Sequence, residues 1–149
     1  MPAKVFYYFE ELCNSPHGST NTKAISDYCV NFAKERGLAY HQDAENNIII
    51  LKNGSKGYED SKPVIIQGHL DMVCEKEADC TIDFEKDGLS LAIDGDYIYA
   101  EGTTLGGDDG IAVAMALAIL DDDTLEHPPI EAVFTVAEEI GMLGAVAMD

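Results

Sequence analysis

A chain of 149 residues, 46% of them apolar, is long enough to bury one core and too apolar to stay disordered. Its formal charge of −19 argues against nucleic acid as a partner, since nothing would release counterions from a phosphate backbone, and against an anionic membrane surface. No apolar run reaches the ~20 residues that span a bilayer, and the opening MPAKVFYYFEELC is not expected to act as a signal peptide, because Tyr7, Tyr8, Glu10 and Glu11 interrupt it.

In chain order, residues 4–13 read as a short amphipathic helix. SPHGSTN breaks it, and Thr20 or Asn21 is expected to cap a second helix running to about Arg36. Gly37 suits the left-handed residue that ends such a helix. A hairpin follows, with strands near 38–43 and 47–52. Val64, Ile65 and Ile66 open a strand over 64–68 that reads as buried on both faces. Residues 75–89 read as loop, and LSLAIDGDYIYAEG as a second hairpin turned by Asp94-Gly95. TTLGGDDG is a glycine-rich loop before IAVAMALAIL, a helix expected to be buried on nearly all sides. PPIEAVFTVA is another buried strand, followed by EEIGMLGAVAMD. Strands alternating with helices predict an α/β fold, a mixed sheet with helices on both faces, in one unit over 1–149.

Three acid-bearing segments then share one architectural position. His69 and Asp71 follow the end of one core strand, Asp108 and Asp109 precede the core helix, and Glu138 and Glu139 follow the other core strand. Ligands of open α/β sheets bind beyond the carboxyl ends of the strands, so these side chains can converge there. A neutral imidazole and carboxylates suit zinc, and carboxylate oxygens can bridge two ions. Residues two apart in extended chain share a face, so Asp71 is placed to accept the second ring N–H of His69. Of adjacent Glu138 and Glu139, one can bind metal while the other serves as general base.

Singly, each feature has a plainer reading: a satisfied polar histidine, acids capping a helix, a solvated pair of glutamates. Their combination carries the metal-site reading. His17, His41 and His127 are scattered and read as structural or surface residues. DGDYIYAEG starts like a calcium loop but has Ile98 at a ligand position, and GTTLGGDDG lacks the ending of a phosphate loop. Cys13, Cys29, Cys74 and Cys80 show no metal-knuckle spacing and read as reduced thiols of a cytoplasmic protein.

The segments GHLDMVCEK, DGDYIYAEGTTLGGDDGIAVAMALAIL and HPPIEAVFTVAEEIGMLGA, with FEELCNSPHGSTNTKAISDY, resemble the aminoacyl-histidine (Xaa-His) dipeptidases, the peptidase D group of the di-zinc aminoacylase and carboxypeptidase metallopeptidases. The resemblance implies His69 as a zinc ligand, Asp71 as the acid that orients it, and Asp108 as the carboxylate bridging two zinc ions. It implies Glu138 as the general base and Glu139 as ligand of the second ion. Manganese or cobalt could replace zinc. A cis peptide is implied after Asp108, and the reaction implied is hydrolysis of Xaa-His dipeptides by a metal-bridging water. Thr22 stands where the family often has Glu, GGDDG replaces the commoner GADNG, and TVAEE replaces TTDEE, none of which removes a ligand.

Family members run to several hundred residues and carry further zinc ligands and a lid domain that supports homodimers. The resemblance therefore implies that 1–149 is the N-terminal portion of a zinc-peptidase catalytic domain, weak or inactive alone. The alternatives are a non-catalytic metal-binding or interaction fragment, and an acidic α/β module whose acids only cap and solvate.

Overall fold

Apolar, β-branched runs pair into one mixed sheet in the computed structural model, which describes residues 2–148. In chain order the elements are α1 (Pro2–Cys13), α2 (Lys23–Glu35), β1 (Ala39–Gln42), β2 (Ile48–Lys52), β3 (Val64–His69), β4 (Leu91–Asp94), β5 (Tyr97–Ala100), α3 (Gly107–Leu120), β6 (Ile130–Thr135) and α4 (Leu143–Ala147). The sheet runs β1-β2-β6-β3, and β4-β5 forms a separate two-stranded hairpin. The β1–β2 and β2–β6 pairs are antiparallel, while β3 lies parallel to β6 from Val64 opposite Ile130 to His69 opposite Thr135.

Period-two alternation decides what the sheet buries. Ile48, Ile50, Ile130, Ala132 and Phe134 enter the core with Phe9 and Leu12 of α1, Ile25 and Ala33 of α2, and Val113 and Leu117 of α3. Each large side chain so buried contributes about 1.5–3 kcal/mol. α3 is apolar nearly all round, as expected, and leaves only a stripe through Ile111 and Met115 exposed. The opposite sheet face stays open: Leu51 is 43% and Ile65 64% exposed.

Three local expectations are corrected. β3 is not buried on both faces, because it is an edge strand; its first residues are exposed, and only Gly68 and His69 at its end are buried. The second helix is capped by Thr22 rather than Thr20 or Asn21, its carbonyl accepting the Ser26 N–H, and no side chain completes the cap. The β4–β5 turn is Gly95-Asp96, because Asp94 already pairs with Tyr97, and Gly95 takes φ 58°. Gly37, at φ 64°, ends α2 as expected.

Charged groups lock the helices together. Asp121, just beyond α3, accepts from Lys4 of α1 at 2.8 Å and from Arg36 Nε at 2.6 Å. Arg36 also donates to the Tyr8 hydroxyl at 2.9 Å and stacks on Phe32. Buried Lys52 of β2 donates to the Leu120 and Asp122 carbonyls, satisfying the end of α3.

Candidate metal centre

Parallel pairing of β3 with β6 brings their carboxyl ends to one sheet edge, so His69 and the Glu138–Glu139 segment meet there. The Nδ1 of buried His69 lies 2.9 Å from the Asp71 carbonyl oxygen. A carbonyl can only accept, so Nδ1 carries the proton and Nε2 presents a lone pair. That lone pair faces Asp108 Oδ1 at 3.2 Å and Glu138 Oε2 at 3.8 Å. His69, Glu138 and Glu139 each offer one ligand atom within 4.8 Å of the others. Electron-rich atoms so close repel unless a cation or a proton lies among them. One imidazole nitrogen with several carboxylates is a donor set that fits zinc or a similar divalent ion.

The site's own electrostatics agree. Burial pushes His69 toward its neutral form, but the Asp71 carbonyl and the carboxylates of Asp71, Asp108 and Asp109 outweigh it and hold its pKa above the ordinary value. Burial, reinforced by Asp108 and Glu138, holds the Asp109 carboxyl above the usual range despite the bond from the His69 N–H.

Each residue singled out in the sequence has a definite place. Asp108 is exposed, with its side chain 90% accessible, and the Asp108–Asp109 peptide is cis, as the resemblance implies. Asp71 is buried, but its carboxylate does more than face His69, whose Nδ1 is 3.5 Å away. Its two oxygens accept the backbone N–H groups of Glu138 at 3.0 Å and Glu139 at 3.3 Å. The backbone carbonyl of Asp71, rather than its carboxylate, makes the short bond to the ring. Asp71 thus holds both halves of the centre, ring and glutamate pair. Glu138 Oε2 comes within 3.8 Å of the His69 ring and Glu139 offers a ligand atom within 4.8 Å, so the geometry does not itself divide their roles.

The remaining histidines do not join. His17 is buried, with Nδ1 on the Ser15 carbonyl, and its own carbonyl accepts the Met72 N–H. His127 is tied to Ser55 and Pro128 before β6, at the other end of that strand, and His41 lies in β1. All four cysteines are free.

Two residues support the centre in ways the sequence did not assign: Asp109, named there without a role, and Asn47, not singled out. Asp109 Oδ2 accepts the His69 N–H at 3.2 Å. Asn47, almost fully buried, accepts the Val136 N–H and donates to the Gly144 carbonyl and to Asp43, bracketing the segment that carries Glu138 and Glu139. That segment is tightly bent, with Ala137 at φ 54° and Met142 at φ 56°. A buried asparagine in a hairpin turn has no chemical motif, so its spacing gave no signal.

The cytosol non-specific dipeptidase of Escherichia coli K12 is 42% identical over 147 residues, which are 99% of this chain and 30% of that protein. The crystal structure of aminoacylhistidine dipeptidase from Vibrio alginolyticus superposes with a TM-score of 0.96 at 39% identity, covering 99% of this chain and 30% of that one. A tripeptidase from Staphylococcus aureus shares the fold, with a TM-score of 0.79 at 23% identity over 100% of this chain and 40% of its own. The chain thus spans about a third of the length of these proteins. The sequence profile of peptidase family M20/M25/M40 matches residues 65–149, more than half of the chain and the part that holds every residue of the centre, and the chain belongs to that family.

Proposed function

We propose that this chain supplies the first half of the metal centre of a zinc-dependent dipeptidase acting on Xaa-His and related dipeptides in the cytoplasm. The observation that carries the reading is the His69 Nε2 lone pair aimed at Asp108 and Glu138 with Glu139 beside them. The names of the E. coli and V. alginolyticus relatives support a dipeptide as substrate, and the former supports the cytosol. No helix among the described residues is long and apolar enough to cross a membrane.

In this reading His69, Asp108 and Glu139 would hold the zinc. Bound zinc supplies Lewis acidity and lowers the pKa of water. Glu138, half-exposed and beside His69, takes a proton from the attacking water at Oε2 and returns it to the leaving amine. Asp71 keeps the ring and the two glutamates in register. These residues fall short of filling two zinc coordination spheres, so the chain alone is expected to bind metal weakly and turn over little. Homodimerisation belongs to the longer protein of which this reading makes the chain a part.

Glu138→Gln tests the roles in the dipeptidase that contains this chain. Dipeptide hydrolysis should fall at least about 100-fold, the scale of a lost general base, while zinc content by elemental analysis stays unchanged. Loss of zinc together with activity would make Glu138 a ligand instead. Full activity in the variant would overturn the reading.

A further inference from the structure

β3 pairs with β6 on one side only, so alternate N–H groups of β3 point to the unpaired edge. The Leu70 N–H is taken by the Thr135 carbonyl on the β6 side at 2.8 Å. The His69 N–H, one residue earlier, points the other way, and Asp109 Oδ2 accepts it at 3.2 Å. The acceptor is carried on the non-helical first turn of α3, the loop-like stretch that also presents Asp108, adjacent in sequence. One hydrogen bond therefore joins the strand holding the imidazole to the loop holding the carboxylate that faces it at 3.2 Å.

Gly68 makes room for this contact. A Cβ on Gly68 would lie 3.0 Å from Asp109 Oδ2 and 3.2 Å from Val113 Cγ2. Gly68 is not in the left-handed region, so its backbone would accept alanine; only space is at stake.

We propose that Asp109 is a positioning residue whose side-chain oxygen, by accepting the His69 N–H across the space left by Gly68, sets the distance between His69 and Asp108 for metal binding. The inference rests on the metal reading above. It assigns Asp109 no contact with metal or substrate. An acceptor oxygen is what the position needs, and a negative charge is not.

The test compares Asp109→Ala, Asp109→Asn and Gly68→Ala in the full chain, with Co(II) alone as the probe. Three readouts are the Co(II) dissociation constant from its visible spectrum, amide hydrogen exchange at His69, and the rise in melting temperature on adding Co(II). Asp109→Ala should weaken Co(II) binding about 10–100-fold, the range seen when support of a metal ligand is lost. It should speed exchange of the His69 amide about tenfold, the worth of one hydrogen bond. Asp109→Asn keeps an acceptor oxygen and should restore both to within about threefold of the original chain. Gly68→Ala, whose Cβ would press Asp109 Oδ2 and Val113 Cγ2 back by a few tenths of an ångström, should shift Co(II) binding in the same direction by a smaller factor. A purely structural role lowers the melting temperatures of the apo and loaded protein together, whereas positioning shrinks the gap between them. Should Asp109→Ala fail to fold, Gly68→Ala and Asp109→Asn still decide the matter. Co(II) binding unchanged in Asp109→Ala, or weakened about tenfold or more in Asp109→Asn, overturns the positioning role. An original chain that takes up no Co(II) even where the metal is raised far enough to fill a weak site overturns the metal reading, and this inference with it.

Discussion

At the scale of single residues, Asp71 is the most consequential of the side chains around the centre. Its carboxylate is fully buried and accepts two backbone N–H groups, and its carbonyl fixes the His69 tautomer. Removing the carboxylate leaves the Glu138 and Glu139 N–H groups without their acceptor, and each such loss costs about 1–3 kcal/mol when buried. Asp71→Ala is therefore expected to lower stability by about 2–4 kcal/mol in urea unfolding, somewhat less than two full losses because these N–H groups are only partly buried. Metal affinity should fall with it. A variant of unchanged stability would show that water replaces the carboxylate at no cost. Asp71 could be found from its i+2 spacing to His69, but its bonds to Glu138 and Glu139 join positions 67 and 68 residues apart and no spacing reveals them.

At the scale of elements, the helices are joined by charge as well as by packing. Lys4 and Arg36 converge on Asp121, and Arg36 also holds the Tyr8 hydroxyl, linking α1 and α2 to the end of α3. Burial raises the Asp121 pKa, but hydrogen bonds from Lys4, Arg36 and Tyr8 outweigh it and hold it down to about 2. An unfolded aspartate titrates near ~3.9. A depressed folded pKa means stability present above the unfolded value and lost as pH falls through the folded one. Stability should therefore decline between about pH 4 and pH 2, and Asp121→Asn should flatten that decline while lowering stability at neutral pH. Urea midpoints measured across this range check it, and equal slopes for the two proteins would show that other carboxylates carry the acid sensitivity. The partly exposed setting of this cluster limits its worth through solvent screening. Sequence reading located all three long helices but not this junction, because its four members come from positions 4, 8, 36 and 121.

For the whole molecule, a charge of −19 on 149 residues means that compaction works against self-repulsion. Raising ionic strength from about 0.01 M to 0.15 M shortens the screening length from about 30 Å to about 8 Å. The melting temperature should rise over that range; a flat or falling trend would show that local ion pairs outweigh the net charge. The same acidity favours divalent cations at the centre, where His69 is the one imidazole among carboxylates.

The amino-acid sequence by itself determined the elements and the candidate chemistry. Period-two and helical patterning are local properties, and the family motifs are contiguous, so β2, β6, α3 and the residues His69, Asp71, Asp108, Glu138 and Glu139 were all legible. Tertiary structure decided the rest. It put β3 at the edge of the sheet, which exposes Val64 and Ile65 although their composition reads as buried, because burial depends on neighbours that the strand itself does not encode. It chose the Asp71 carbonyl as the short partner of the His69 ring, and turned the Asp71 carboxylate to the glutamate backbone. It brought in Asp109 and Asn47, whose contacts span 40 and 89 residues of chain. Local pattern reports what each segment can do alone, whereas hydrogen-bond partners and edges arise only when the strands have paired.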